Sequence, residues 1–278
     1  MRVSKAEVTL NYVILTVFAV IALTPILTVL ATVFQHRTGG GSASKGAADG
    51  GVLATGAGNL AEAWSSGGFG RYLLTSLLVA VVVLGVSLVL SIMTGYAFGT
   101  MRFRGSTALF YLFLLGLMIP AEAIVIPLFF DLRTLGLTDT LLAVAGPQIA
   151  QSVAFGTFWM RAQFRAMPPE LIDAAAVDGA TSWRTLTGVL VPASKQGIAT
   201  LSVLVFMWTW NEFLIPLVMS PTGAFRTAPL ALSIFKGQYT AETQLLAAAA
   251  VIIALPVVIV FIILQRYFIK GMLEGGVK

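Results

Sequence analysis

The sequence has no cysteine, so intrachain disulfides and thiolate sites for metal or redox chemistry are excluded. His36 is its only histidine, which leaves little material for a metal-histidine cluster or a Ser-His triad. The pattern G-x-x-x-x-G-K-[ST] occurs nowhere, and Lys45-Gly46 and Lys270-Gly271 lack what should precede them. The chain therefore has no phosphate cradle for ATP, and any energy source must sit elsewhere. Charge is also scarce, at 10% of 278 residues against 58% hydrophobic, with mean hydropathy +0.92. A water-soluble domain would have too little polar surface, so the chain belongs in a lipid bilayer. The net charge of +5 does not point to nucleic acid, because the basic residues stand singly at the ends of apolar segments. That is how a membrane protein sets its orientation.

Six apolar runs are long enough to span. Residues 8–34 form the first, longer than a signal-peptide core and followed by no clear small-x-small cleavage site. Residues 35–70, including GGGSASKGAADGG, are poor in core-forming side chains and read as a flexible or loosely folded loop. Residues 72–101 carry no charge and form the second span. The third, 106–130, holds Glu122 between Pro120 and Pro127 and should be kinked. The fourth covers 140–160, the fifth 197–219 and the sixth 245–265. Trp64, Trp159 and Trp183 lie near span ends and suit interface anchoring. Six spans put both termini on one side; 11 of the 17 Lys and Arg share that side and 6 fall on the other, which makes the termini cytoplasmic.

The interruption at 164–195 is too short for a domain yet reads as two helices. Pro168 and Pro169 stand at a helix start, Glu170 and Asp173 place acid in the first turn, and Gly179 supplies a stop. Ala174, Ala175 and Ala176 leave a bare helix surface, and Trp183, Leu186 and Leu190 repeat at helical spacing until Pro192 ends the pattern.

The run Asp173-Ala174-Ala175, three residues, Gly179, nine residues, Val189-x-Val191-Pro192 resembles the EAA loop of binding-protein-dependent ABC importer permeases. Asp173 replaces the family's glutamate and valines replace its isoleucine and leucine, which keeps charge and apolar character. Pro169-Glu170-Leu171, Asp178-Gly179, Trp210-Asn211-Glu212-Phe213 with Pro216-Leu217, and the ending Gly271-x-x-x-Gly275-Gly276-Val277-Lys278 are similar to the carbohydrate-uptake branch, and within it to the smaller, six-helix subunit of maltose-type importers. The resemblance implies an all-α membrane fold of the type I importer class. Residues 1–71 would hold the first span and external loop, 72–265 the permease core, and 266–278 a cytoplasmic tail. It implies a second permease subunit, two cytosolic ATPase subunits that use ATP and magnesium, an external solute-binding protein and a sugar substrate, with no cofactor on this chain. Glu170, Asp173, Ala174, Ala175, Asp178, Gly179 and Pro192 would couple to the ATPase.

Glu122, Gln148, Gln151, Asn211 and Glu212 are polar groups inside spans, which are costly and face a cavity or a partner. They line a sugar path in one reading and serve interhelical or intersubunit hydrogen bonding in the other. The rival function is a self-sufficient secondary transporter or channel using Glu122 or Glu212, which would bring inverted repeats. No repeat links the two halves.

Overall fold

The computed structural model describes residues 4–36, 51–235 and 242–274. Among them the regular structure is helical: α1 (Lys5–Val33), α2 (Val52–Gly67), α3 (Phe69–Thr100), α4 (Ser106–Met118), α5 (Ala121–Thr134), α6 (Leu141–Arg165), α7 (Glu170–Val177), α8 (Ser182–Thr185), a π-turn (Leu186–Leu190), α9 (Val191–Ala193), α10 (Lys195–Asn211), α11 (Leu214–Met219), α12 (Ala228–Ala231), a 3-10 turn (Leu232–Phe235) and α13 (Thr243–Glu274). Four of these are long and apolar enough to cross a bilayer, and two bent pairs bring the number to six when each pair is one span. The chain divides into two compact units, Met1–Gly70 with Ala231–Leu255, and Arg71–Leu230 with Pro256–Lys278.

In the first unit, α1 opens on a capping box in which the Ser4 N–H donates to Glu7 Oε2 at 2.8 Å. The expected loose loop is corrected over its second half: Val52–Gly67 is a helix closed by Gly68 at φ +62°. Its small residues serve a contact. Asn59 Nδ2 donates to the carbonyls of Val33 (2.7 Å) and Gln35 (3.2 Å), and a Cβ at Gly56 would overlap the Phe34 ring. Residues 37–50 lie outside the described residues. α13 continues to Glu274, so residues 266–274 are helical; the Gly275-Gly276-Val277-Lys278 ending lies outside the described residues.

In the second unit α6 packs against α4 and α10, and α3 approaches it closely at a row of small residues. Ser91, Gly95 and Gly99 fall four apart on α3, one row along the helix. A Cβ on Gly95 would lie 2.5 Å from Met160 Cβ and 3.0 Å from the Arg161 backbone nitrogen, and one on Gly99 would lie 3.3 Å from Phe164 Cβ. Gly156 on α6 answers with the same economy, because a Cβ there would overlap Ser91. Small residues let two spans approach where lipid gives no hydrophobic drive for association. The Thr94 and Thr157 hydroxyls share a hydrogen bond of 2.6 Å in this seam, and Arg161 donates to the Phe98 carbonyl while lying over the Phe110 ring at 3.8 Å. Beside it Val83, Met160, Leu190 and Leu201 are fully buried. Trp159 packs here, and its indole N–H donates to the Gly197 carbonyl of α10 at 2.9 Å.

Two expected spans are broken. The third is α4 plus α5, bent by 95°. Pro120 causes the break, since the residue before proline is pushed out of the helical region and Ile119 is extended at φ −85°, ψ 119°. The fifth stops at Asn211 and restarts at Leu214, with Glu212 extended at φ −66°, ψ 124°.

Beyond α5, Asp139 adopts a left-handed backbone at φ +60°. Its Oδ1 accepts from Ser220 Oγ (2.9 Å), Thr222 Oγ1 (2.7 Å) and Thr222 N–H (3.1 Å), and its own N–H donates to the Met219 carbonyl at 2.9 Å. Ser220 Oγ accepts in turn from the Phe225 N–H at 3.0 Å. This latch ties the start of α6 to the end of α11.

Candidate functional site

The two helix breaks meet at one cavity of about 580 Å³. The end of α4 and start of α5 form one wall, α6 the floor, and the last turns of α10 with Glu212 the other wall. Glu122, Gln148, Gln151, Asn211 and Glu212, far apart in sequence, all line it.

Each side chain there is held by its own element. Gln148 is 5% exposed, one residue past Pro147 inside α6; its Nε2 donates to the Val144 carbonyl at 2.8 Å and its Oε1 has no donor. Asn211 Nδ2 makes the equivalent bond to the Met207 carbonyl at 2.8 Å. Each amide thereby commits one N–H to the backbone and keeps its oxygen and a second N–H. Glu122 occupies the first turn of α5, where the helix dipole favours an acid. Glu212 has a local duty that its sequence did not reveal. The Ile215 N–H donates to its Oε1 at 3.0 Å, so the carboxyl group caps α11 across the break.

Aromatic rings complete the lining. Phe155 and Trp208 stand edge to face at 4.9 Å and 77°, and both border the cavity. Sequence reasoning missed this pair. Phe155 falls four residues after Gln151 on one face of α6, and Trp208 three before Asn211, so helical spacing from the chosen polar residues would have found both. A smaller apolar cavity of about 210 Å³ adjoins, sharing Gly116, Ala121 and Gln151.

The segment carrying the EAA-like pattern lies elsewhere on the same unit. α7 begins after Pro169 with Glu170 and Asp173 in its first turn, both exposed. It ends in a Schellman cap: the Gly179 N–H bonds the Ala176 carbonyl at 3.0 Å and the Ala180 N–H bonds the Ala175 carbonyl at 2.9 Å. Gly179 has φ +69° and a Cβ there would meet nothing within 4 Å, so its glycine serves the backbone and not this chain's packing. Of the three alanines, Ala175 is buried while Ala174 and Ala176 are exposed, as is Asp178.

The second helix ends one residue past Pro192. Ser182–Ala193 is one helical run with the π-turn just ahead of the proline, and the sharp bend of 79° falls between Ala193 and Lys195. Proline cannot donate to the carbonyl four residues back, and the wider turn absorbs that missing bond. Leu186 and Leu190 sink into the core beside Met160 and Phe164, so the segment is anchored to the bundle. Its free side presents Val177, 88% exposed, and Trp183, 62% exposed. Val177 was not singled out in the sequence, because one valine after three alanines looks like helix filling.

Residues 87–274 match the family described as binding-protein-dependent transport system inner membrane component. The chain is 36% identical over 203 residues to the arabinooligosaccharides transport system permease protein AraQ of Halalkalibacterium halodurans, covering 73% of this chain and 72% of that protein. It is 34% identical over 212 residues to the trehalose transport system permease protein SugB of Mycobacterium tuberculosis, covering 76% and 77%. To the osmoprotective compounds uptake permease protein GgtD of Synechocystis sp. it is 35% identical over 222 residues, covering 80% and 74%. In fold it is similar to a chain of a bacterial ABC transporter involved in the import of the acidic polysaccharide alginate, with TM-score 0.79, 21% identity, and coverage of 96% and 99%. Bent spans around a polar cavity, an anchored loop with acids at its tip and a family match running through both lead to one assignment. The chain belongs to the family of binding-protein-dependent transport system inner membrane components, as a membrane-spanning permease subunit.

Proposed function

We propose that this subunit carries a sugar or sugar-like solute inward by alternating access, driven by ATP that separate cytosolic subunits hydrolyse. The observation that carries the reading is the convergence of Glu122, Gln148, Gln151, Asn211 and Glu212 on one cavity, which gives a hydroxylated solute partners along its path. The sugar transport of AraQ and SugB agrees with it. Its partners are a second permease subunit, two ATPases and an external solute-binding protein. The chain itself performs no covalent chemistry and holds no cofactor; ATP and magnesium belong to the ATPases.

Coupling runs through α7 to α9. Glu170, Asp173, Asp178 and Val177 meet the ATPase surface, Ala174 allows close approach, and Ala175 and Gly179 fix the cap that shapes the tip. Leu186 and Leu190 pass its displacement to the bundle, and the bend after the Pro192 turn passes it to α10. Rigid-body movement of packed helices then swaps the opening of the cavity. Both termini and this loop are cytoplasmic by the distribution of Lys and Arg.

Single cysteines test the arrangement. A cysteine at Thr222 labels from outside intact cells and one at Ser182 does not, while Asp173→Lys reduces the ATPase retained on purification. Outside labelling at Ser182 together with normal ATPase retention by Asp173→Lys would overturn the reading.

A further inference from the structure

The cavity carries more information than the presence of polar groups, because its charge is one-sided and one of its buried amides holds an acceptor with no donor. Glu122 and Glu212 are its only ionisable lining residues; among the described lining residues there is no Lys, Arg or His. An anionic solute would meet two carboxyl groups with no cation to offset its charge. The two acids are also matched locally, Glu122 in the first turn of α5 and Glu212 by the Ile215 N–H, so they do not form a bare site for a cation.

Hydrogen bonding points the same way. Gln148 and Asn211 each commit one amide N–H to the backbone, on the Val144 and Met207 carbonyls, and their amide oxygens make no part of those bonds. Gln148 Oε1 is the sharpest case: a buried acceptor with no donor, on a residue that lines the cavity. A buried polar atom of this kind calls for a partner. Hydroxyl groups bring donors, whereas uronate or phosphate oxygens bring further acceptors. Beside these oxygens Trp208, 48% exposed, is propped edge to face by Phe155, a rigid apolar surface against which a sugar ring can lie. The volume of about 580 Å³ falls in the range of small-molecule sites.

We infer that this cavity binds uncharged, hydroxyl-rich rings, with Trp208 as the stacking platform, Gln148 Oε1 as an acceptor and the Gln151 and Asn211 amides as further hydrogen-bonding groups, and that it discriminates against acidic saccharides. The inference rests on the sugar-import reading and goes beyond it. It also separates this chain from the alginate importer whose fold it shares: at 21% identity that likeness carries the fold and not the cargo.

The test uses the complete transporter in nanodiscs without its solute-binding protein, so that selection upstream does not intervene. Saturation-transfer NMR is recorded with three probes of similar size: trehalose, an alginate disaccharide and a glucosamine disaccharide. Trehalose shows transfer centred on its ring C–H protons, which falls about fivefold in Trp208→Ala and is largely kept in Trp208→Phe, on the scale of one aromatic contact. The acidic probe shows little transfer to the native complex and gains it in Gln151→Arg. Equal or stronger transfer to the acidic or the amino probe in the native complex overturns the inference. So does absence of transfer to all three, or an assembled Trp208→Ala complex that keeps the full trehalose signal. Uptake by proteoliposomes supplemented with the solute-binding protein is read in parallel. ATP-driven uptake of a neutral sugar without the NMR contrast sinks this inference alone, whereas absence of ATP-driven uptake of any saccharide sinks the proposed function.

Discussion

Asp139 offers the most direct test of how the α5–α6 loop is held to α11. Replacing it with alanine removes the acceptor of three hydrogen bonds, two from Thr222 and one from Ser220. Bonds to a charged group contribute about 1.5–3 kcal/mol each when shielded. Here Thr222 is exposed and Asp139 half-buried, so water replaces part of the loss. We take roughly 2 kcal/mol for the three together, below the shielded value. Alanine at φ +60° adds about 1 kcal/mol, because its Cβ crowds the backbone in the left-handed region. The total is about 3 kcal/mol. Asp139→Asn keeps an acceptor and tolerates that backbone, so it costs less than about 1 kcal/mol. Heat-inactivation rates of the purified complex compare the three proteins, since membrane complexes unfold irreversibly. Hydrogen exchange at the Thr222 and Phe225 amides reports the latch itself, and both amides speed up in the alanine variant. Alanine and asparagine variants of equal lability would refute the reasoning, because they differ in what holds the latch.

Gly95→Ala forces a methyl group against Met160 and costs about 1–3 kcal/mol by overpacking, whereas Gly85→Ala on the same helix meets nothing within 4 Å. Size-exclusion chromatography of the two variants therefore shows loss of monodisperse protein only for the first. Gly179→Leu pays about 1–2 kcal/mol of backbone strain at φ +69°, so uptake falls while membrane content holds; Gly179→Asn recovers much of it. Glu212→Gln still accepts from the Ile215 N–H, but Glu212→Leu loses that cap at about 1 kcal/mol and reduces uptake more than complex yield. Loss of complex in proportion to uptake would make Glu212 a packing residue alone.

Much of this was legible because a bilayer restricts what a chain can be. Six apolar runs, the polar interruption and the Gly179 stop follow from length, charge and turn chemistry, and the structure places helices on all of them. The convergence of five polar groups was half legible: polar side chains inside spans must face a cavity or a partner, and these five line one cavity. What escaped was non-local or non-periodic. Pro120 promised a kink, but whether a proline bends a span or divides it at 95° depends on what packs around it. The Asp139 latch joins residues 81 and 83 positions apart through one oxygen, and no spacing rule reaches that far. Val52–Gly67 was misread because small residues usually mark loose chain, whereas here they allow Phe34 and Asn59 to meet their partners.

The breaks at Ile119-Pro120 and Glu212-Phe213 have one consequence for assembly. At each, the backbone leaves its helical bonding for a residue or two, and hydrocarbon offers nothing to the freed amides and carbonyls. Lipid can therefore cover every other flank of these spans but not this one, which must stay wet or be met by protein. The interruptions act as a compass written into the chain. They mark the side of these spans that turns away from the membrane.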